Sequence, residues 1–553
     1  MIKLIIFSAF YLAVIFSTLG YGFLALDCLK RKHVDKHLNI GLVGLYGVFL
    51  LIIISYLTNL FFAHSLIHNT LIAIMGLILF VFFTFKRKIK LELKLFFFVF
   101  GILFIAFLVF KNHDDFFYYH FPYTLILTNF EKIFGLGQLN HGFRTPSSIF
   151  YLNSLFYLPG IKYFLMNSGA LYILGFSNLI FINIIKKNLF RKKYNFILFL
   201  SLLSFIYVNT AFYRIAEHGT DRSALILIFI MAIYYLKSVN FLDNYNNPNL
   251  LNVYFSKLII LFFIIISLKN FYLIYFFILL IWIFEMKKFL FHKSFLKTVF
   301  KNSSIYIFII GIFLSIFTIF SNTGCLVYPA SFTCFEQFSW SIPTDSVDQM
   351  KVWYEQWSKA GATPNFRVEN PEIYISKLNW LNNWIKIYFF TKVTDNILVL
   401  ITICTIGFLV FTYKSKKIKL HKRKYILFYF SILILFLEWF YNHPASRYGG
   451  YTIVALMVFI PISLFLEKFQ SNSILFKKKV YFLVTLTALI FISKNLNRIN
   501  HEYIKYNYNL IKNPFFYLNK DSFKINDMVK IYYEKQKENS KKKYLILNKK
   551  ILN

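Results

Sequence analysis

The sequence predicts an all-α polytopic membrane protein, a bundle of about 14 spanning helices, and three observations carry that class. Of 553 residues, 58% are hydrophobic, with a mean hydropathy of +0.57. That is more apolar surface than one soluble core can bury. Apolar runs of about 17–25 residues recur along nearly the whole chain, each long enough to cross about 30 Å of hydrocarbon as a helix. The runs are continuously apolar and do not alternate, which excludes a β-barrel.

The first span, roughly residues 2–26, has a single Lys, Lys3, at its start and Lys30, Arg31, Lys32 and Lys36 after it, so its N-terminus is expected outside by the positive-inside rule. A secretory signal carries its charge first, and this segment therefore reads as an uncleaved span. Basic blocks at 86–94, 186–193, 287–301, 414–424 and 477–479 mark further cytoplasmic turns, and spans alternate between them. Two stretches are irregular. Residues 148–166 are apolar but interrupted by Asn153, Pro159 and Gly160, as in a re-entrant or interfacial helix. Residues 255–285 must hold two short spans, with Lys269 and Asn270 at their tip.

The formal charge of +37 falls mostly in these blocks, so it is topological information and not a nucleic-acid footprint. The 72 Phe and 39 Tyr accompany a general richness in Ile, Lys and Asn, a bias of the whole chain that gives no evidence of ligand stacking. No fixed-period repeat and no Gly/Ser-rich or Pro-rich linker divides the chain. It reads as one transmembrane module over 1–493 and a basic, polar C-terminal tail over 494–553 of unassigned role.

The same threading puts two long polar insertions outside, at about 112–147 and 321–384, together with the turns 214–221 and 442–447. Irregular polar backbone is tolerated only where it meets water or lines a cavity, so the chemistry is expected there. Cys325 and Cys334 lie in the second insertion, where an oxidising compartment favours a disulfide over two free thiols. Closing so short a loop stabilises by about 2–3 kcal/mol on the chain-entropy model.

The first insertion opens Asn112-His113-Asp114-Asp115, followed by aromatic residues through Tyr119 and His120. A carboxylate held at the membrane surface can accept a proton from an attacking hydroxyl; the plain alternative is that one of the pair caps a helix. A turn-rich stretch follows, with glycines at 135, 137 and 142 beside Asn140, Arg144, Ser147 and Ser148, a donor-rich set suited to a sugar or an anion. Asp221, Lys269 and Arg447 stand at span ends on the same expected face. Such residues often only snorkel to the interface, but a guanidinium beside Pro444 and Gly449 is well suited to grip a phosphate.

In this order the features resemble the GT-C superfamily of glycosyltransferases, marked by an acidic pair in the first large outer loop. Narrower likenesses are to a branch of long bacterial membrane proteins. They cover Asp114 and Asp115, Tyr119-His120, the turn from Gly135 to Arg144 with Ser147 and Ser148, Asp221, Lys269, the Gly324-Cys-Leu-Val-Tyr328-Pro329 element and Pro444-Ala-Ser-Arg447, from about residue 97 to 456. Extra aromatics follow the acidic pair, and Gln138 is an insertion in the glycine turn. Both depart from the branch pattern, and the first leaves open which Asp is catalytic.

The resemblance implies transfer of a sugar from a polyprenyl-phosphate carrier to a glycan, lipid or protein acceptor, at the outer (periplasmic) face of the cytoplasmic membrane. Asp114 or Asp115 would be the base. Tyr119, His120, Asn140, Arg144, Ser147, Ser148, Asp221, Lys269, Tyr328 and Arg447 would line the substrate site. Some GT-C enzymes add a divalent metal, magnesium or manganese, and Asp115 with Asp221 would be its ligands here; no other cofactor is expected. Two other classes share the many-span plan. A polymerase or ligase of lipid-linked glycans would lean on outer-loop Arg and His, and a transporter or flippase would place ionisable groups at mid-membrane depth.

Overall fold

A computed structural model describes residues 1–28, 39–86, 92–242, 248–286, 303–363, 368–417 and 425–552. The basic residues Lys30, Arg31, Lys32 and Lys36 and the block 287–301 lie outside the described residues. The expected class is what forms: apart from a two-residue strand pair and two isolated bridges, the described secondary structure is helical.

The N-terminal half contains α1 (Ile2–Cys28), α2 (Ile40–Asn59), α3 (Leu66–Lys86), α4 (Leu93–Phe107), α5 (Phe121–Asn129), the short α6 (Leu136–Leu139) and α7 (Ser148–Ser154), α8 (Gly169–Phe190), α9 (Phe196–Ala211), α10 (Ile215–Leu242), α11 (Pro248–Leu268) and α12 (Phe276–Glu285). Then come α13 (Ser303–Thr323), α14 (Thr344–Lys359), α15 (Pro371–Ile375), α16 (Leu381–Trp384), α17 (Thr394–Thr412), α18 (Ile426–Asn442), α19 (Gly450–Leu466), α20 (Ser473–Tyr506) and α21 (Asp521–Leu552). Among the described residues, 8 helices are long and apolar enough to cross a membrane, and apolar helices of 10–17 residues stand beside them. The chain is a multi-pass membrane protein.

Burial sorts these helices. In the span Gly219–Asn240 of α10, 89% of the apolar window is inside the protein, against 17% in α3. Helices α8, α10 and α11 therefore form the centre, while Leu71, Ile74, Ile78 and Phe85 of α3 point outward as a lipid-facing row. The irregular stretches behave as their sequences demand. Residues 148–166 hold only α7, a tight bridge between Leu158 and Lys162 and one 3-10 turn, with no spanning helix. The helix after Pro248 breaks at Lys269, whose extended backbone (φ −159°) separates α11 from the turn leading into α12.

At the end of the bundle away from the long insertions, Lys186 pairs with Glu92 at 2.8 Å, and Lys416–Lys417 pairs with Phe469–Gln470 as the strands β1 and β2. The expected boundary near 494 falls inside α20, which runs unbroken to Tyr506. The segment beyond is no loose tail. Helix α21 packs on α5, and Tyr533, Gln536 and Ser522 hydrogen-bond to Glu131, Phe134 and Phe117 of the first long insertion.

Candidate functional site

Three distant segments deliver ionisable groups to one point at the insertion-bearing end. Helix α10 is kinked at Gly219, and Asp221 lies just past the kink, only 6% exposed. Lys269 comes from the break between α11 and α12, and its ammonium is 2.8 Å from Asp221 Oδ1. Arg447 comes from the turn before α19, and its Nε donates to Asp221 Oδ2 at 2.8 Å. The outer end of the same guanidinium, Nη2, lies 3.8 Å from Asp115 Oδ2. Burial works against the Arg447 charge, but Asp221 and the surrounding groups outweigh it and hold its pKa well above the usual value. Two acids and two bases balance, as a half-buried cluster requires.

The turn that carries Arg447 is held at nearly every backbone group. Trp384 Nε1 donates to the Pro444 carbonyl, Trp439 Nε1 to that of Ala445 and the Tyr272 hydroxyl to that of Arg447. The Ala445 N–H donates to Ser358 Oγ, and the Ser446 N–H to Tyr388 Oη. Gly449 follows with φ +118°, a left-handed conformation open to glycine and strained for other residues, and it starts α19. A turn this fully tethered fixes the guanidinium, which is what precise grip on an oxyanion needs.

The acidic pair separates. Asp114 is 89% exposed, pairs with Lys111 at 3.5 Å and lines a neighbouring cleft. Asp115 is 33% exposed, within reach of Arg447 and 3.6 Å from His113 Nδ1. Asp115 precedes the turn that begins at Phe116 and makes no side-chain capping hydrogen bond to it. The Asp115 and Asp221 carboxylates do not converge, because the Arg447 guanidinium lies between them. In this arrangement they do not assemble the oxygen set that magnesium or manganese takes, and no step below passes through a metal.

Tyr119 and His120 continue the wall. Burial first, then the Asp115 charge, push the Tyr119 phenol up. His120 is 9% exposed, Nε2 has no partner, and burial pulls its pKa down to about 3, so the imidazole is neutral. Gly142 lies against the Tyr119 ring; a Cβ there would come within 2.5 Å of it.

Other expected site residues serve the scaffold. Asn140 accepts from the Gly142 N–H and shapes its own turn. Ser147 donates to the Leu268 carbonyl, and Ser148 accepts from Ser267, which ties α7 to the chain immediately before Lys269. Both hydroxyls are thus engaged within the fold beside Lys269. Arg144 donates to the Gly137 carbonyl and reaches the Tyr328 hydroxyl at 3.4 Å, in a neighbouring patch. Cys325 and Cys334 are joined by a disulfide beneath that patch.

Sequence reasoning missed the aromatic roof. Helix α14, within the second long insertion, sets Trp353 against His141, and Trp357 lies 5.6 Å from the Arg447 guanidinium; Tyr448 flanks both Arg447 and Lys269. The legible signal was Trp353 and Trp357 at i and i+4 on a polar helix, which share one face. No curated protein and no solved structure matches the chain. A family model described as a domain of unknown function, DUF8201, matches residues 1–454. With that share of its length matched, the chain belongs to the DUF8201 family.

Proposed function

We propose that the protein is a membrane glycosyltransferase that moves a sugar from a polyprenyl-phosphate carrier to a hydroxyl acceptor at the outer face of the cytoplasmic membrane. The shorter apolar helices and the apolar first half of α20 complete the span set in this reading, giving about 14 crossings. One observation carries it: a fixed Arg447 and Lys269 beside a half-exposed Asp115, under an aromatic roof, where the long polar insertions gather.

The chemistry follows from that arrangement. Asp115 takes the proton of the acceptor hydroxyl as its oxygen bonds to the anomeric carbon. The bond from that carbon to the phosphate oxygen breaks, and its electron pair leaves with the lipid phosphate. Arg447 and Lys269 stabilise the developing charge, and a fixed cation pair needs no rearrangement at that moment. Asp221 is not the base in this scheme, because both its oxygens are already engaged by cations. Neutral His120 offers a hydrogen bond to a sugar hydroxyl. The apolar roof of Trp353 and Trp357 suits the flat face of a sugar ring.

The decisive experiment compares lipid-linked sugars and surface glycans in cells with and without the gene. Accumulation of a polyprenyl-phosphate monosaccharide on loss of the gene, reversed by wild type and not by Asp115→Asn, is the expected result. Accumulation of an assembled lipid-linked oligosaccharide would point to a polymerase or ligase instead, and unchanged pools would end the transferase reading.

A further inference from the structure

A cleft of about 510 Å³ opens beside the ion network, between residues 111–114, the 213–214 turn and the far end of α20. Four cations line it, Lys111, Arg214, Lys494 and Arg498, against the two carboxylates of Asp114 and Glu502. Arg498 is deeply placed, its side chain 8% exposed. Its Nη2 donates to the Leu108 carbonyl at 3.0 Å and Nη1 lies 3.5 Å from Glu502 Oε2, while Nε has no hydrogen-bond partner. Asn112, 2% exposed in the same wall, has no partner for either polar atom of its amide. Buried donors left unpaired cost free energy, and this wall holds two, Arg498 Nε and the Asn112 amide nitrogen, next to two lysines.

Guanidinium forks and flexible ammonium groups around one cavity are the recognition chemistry of phosphate oxygens. Arg214 and Arg498 are each pre-oriented by a carboxylate, Glu217 and Glu502, so little side-chain freedom is lost when an anion enters. We propose that this cleft binds a phosphate-bearing group, supplied by the headgroup of an anionic phospholipid or by a free phosphate ester. The α20 wall lies beyond residues 1–454 that the family model matches, so the C-terminal part of this chain completes the site. The proposal does not depend on sugar transfer, and its readout is binding.

The test uses the full-length protein in two arms. One measures retention of phosphatidylglycerol against phosphatidylcholine by native mass spectrometry after reconstitution in mixed nanodiscs. The other measures binding of radiolabelled glycerol phosphate in neutral detergent. The first arm positive identifies a lipid headgroup, the second alone a soluble ester, and either supports the site. The double variant Lys111→Gln with Lys494→Gln, which leaves Arg498 and its carbonyl contacts in place, should weaken retention at least about tenfold. Lys512→Gln, an exposed charge elsewhere in the chain, should not. Binding in neither arm, or equal retention by all three proteins, overturns the proposal. So does equal weakening by Lys512→Gln and the double variant, which would mark general surface charge.

Discussion

Neighbouring carboxylates at 114 and 115 meet different surroundings, and that difference decides which of them can act as a base. Asp114→Asn should leave transfer within a few fold of wild type, whereas Asp115→Asn should lose about 10²–10⁴-fold at unchanged protein level, measured as conversion of the lipid-linked sugar. Comparable loss from Asp114→Asn alone would move the base into the neighbouring cleft. Asp221 has a different task. Removing a 6% exposed carboxylate strands two cations, so Asp221→Asn should lower thermal stability in detergent by on the order of 3 kcal/mol, beyond any effect on rate. His120 adds a pH dependence whose sign follows from its burial. The folded imidazole titrates near 3 and the unfolded one near 6.5, so its stabilising share is complete above about 6.5 and is lost as pH falls toward 3. Melting temperatures at pH 7 and 5 should therefore converge in His120→Gln; an unchanged gap would show that another group sets the slope. These residues were legible as ionisable groups at span ends. Their pairing was not, because Asp221 and Arg447 are 226 residues apart and no local pattern records so distant a partner.

Whole helices are the level at which the sequence speaks most clearly. Continuous apolarity marks α1, α2, α3, α11 and α13 directly, and the interruptions at Pro159 and Lys269 fall where helices fail to continue. Helix α14 was hidden for a compositional reason: in a chain with 72 Phe and 39 Tyr, a pair of tryptophans at helical spacing does not stand out. Its tether to the Arg447 turn through Ser358 can be tested separately from its rings. Trp357→Ala should weaken substrate affinity on the order of tenfold with a smaller change in turnover, since it removes a platform and no reacting group. Equal loss in both parameters would make Trp357 a support for Arg447. The disulfide belongs to the same insertion: a non-reduced digest should yield the Cys325 and Cys334 peptides linked, and two alkylated peptides in their place would remove it.

At the level of the whole molecule, the expectation that basic blocks and polar insertions lie on opposite faces makes sidedness a single testable property. Cysteines placed at Asp115 and Arg447 on a cysteine-free background should react with an impermeant reagent from outside, and one at Lys417 should be protected. Reversal would move the reading to the other face. The C-terminal segment was the part least legible, because its polar composition fits a solvated tail equally well as a helix docked on polar loops. What places it is partner chemistry from elsewhere: Tyr533 on Glu131, and the Tyr517 N–H on the Phe110 carbonyl.

The first helix is tied to the same segment, where the Met1 ammonium donates to the Ile511 carbonyl at 2.7 Å. During synthesis, the first long insertion emerges early and must wait for a helix made some 400 residues later. Membrane insertion and completion of the site are thus separated in time. A ribosome that stops short would leave a chain with most of its spans in place and the first long insertion uncovered, open to proteases. Quality control of this protein is therefore expected to read the docking of α21, not the insertion of α1.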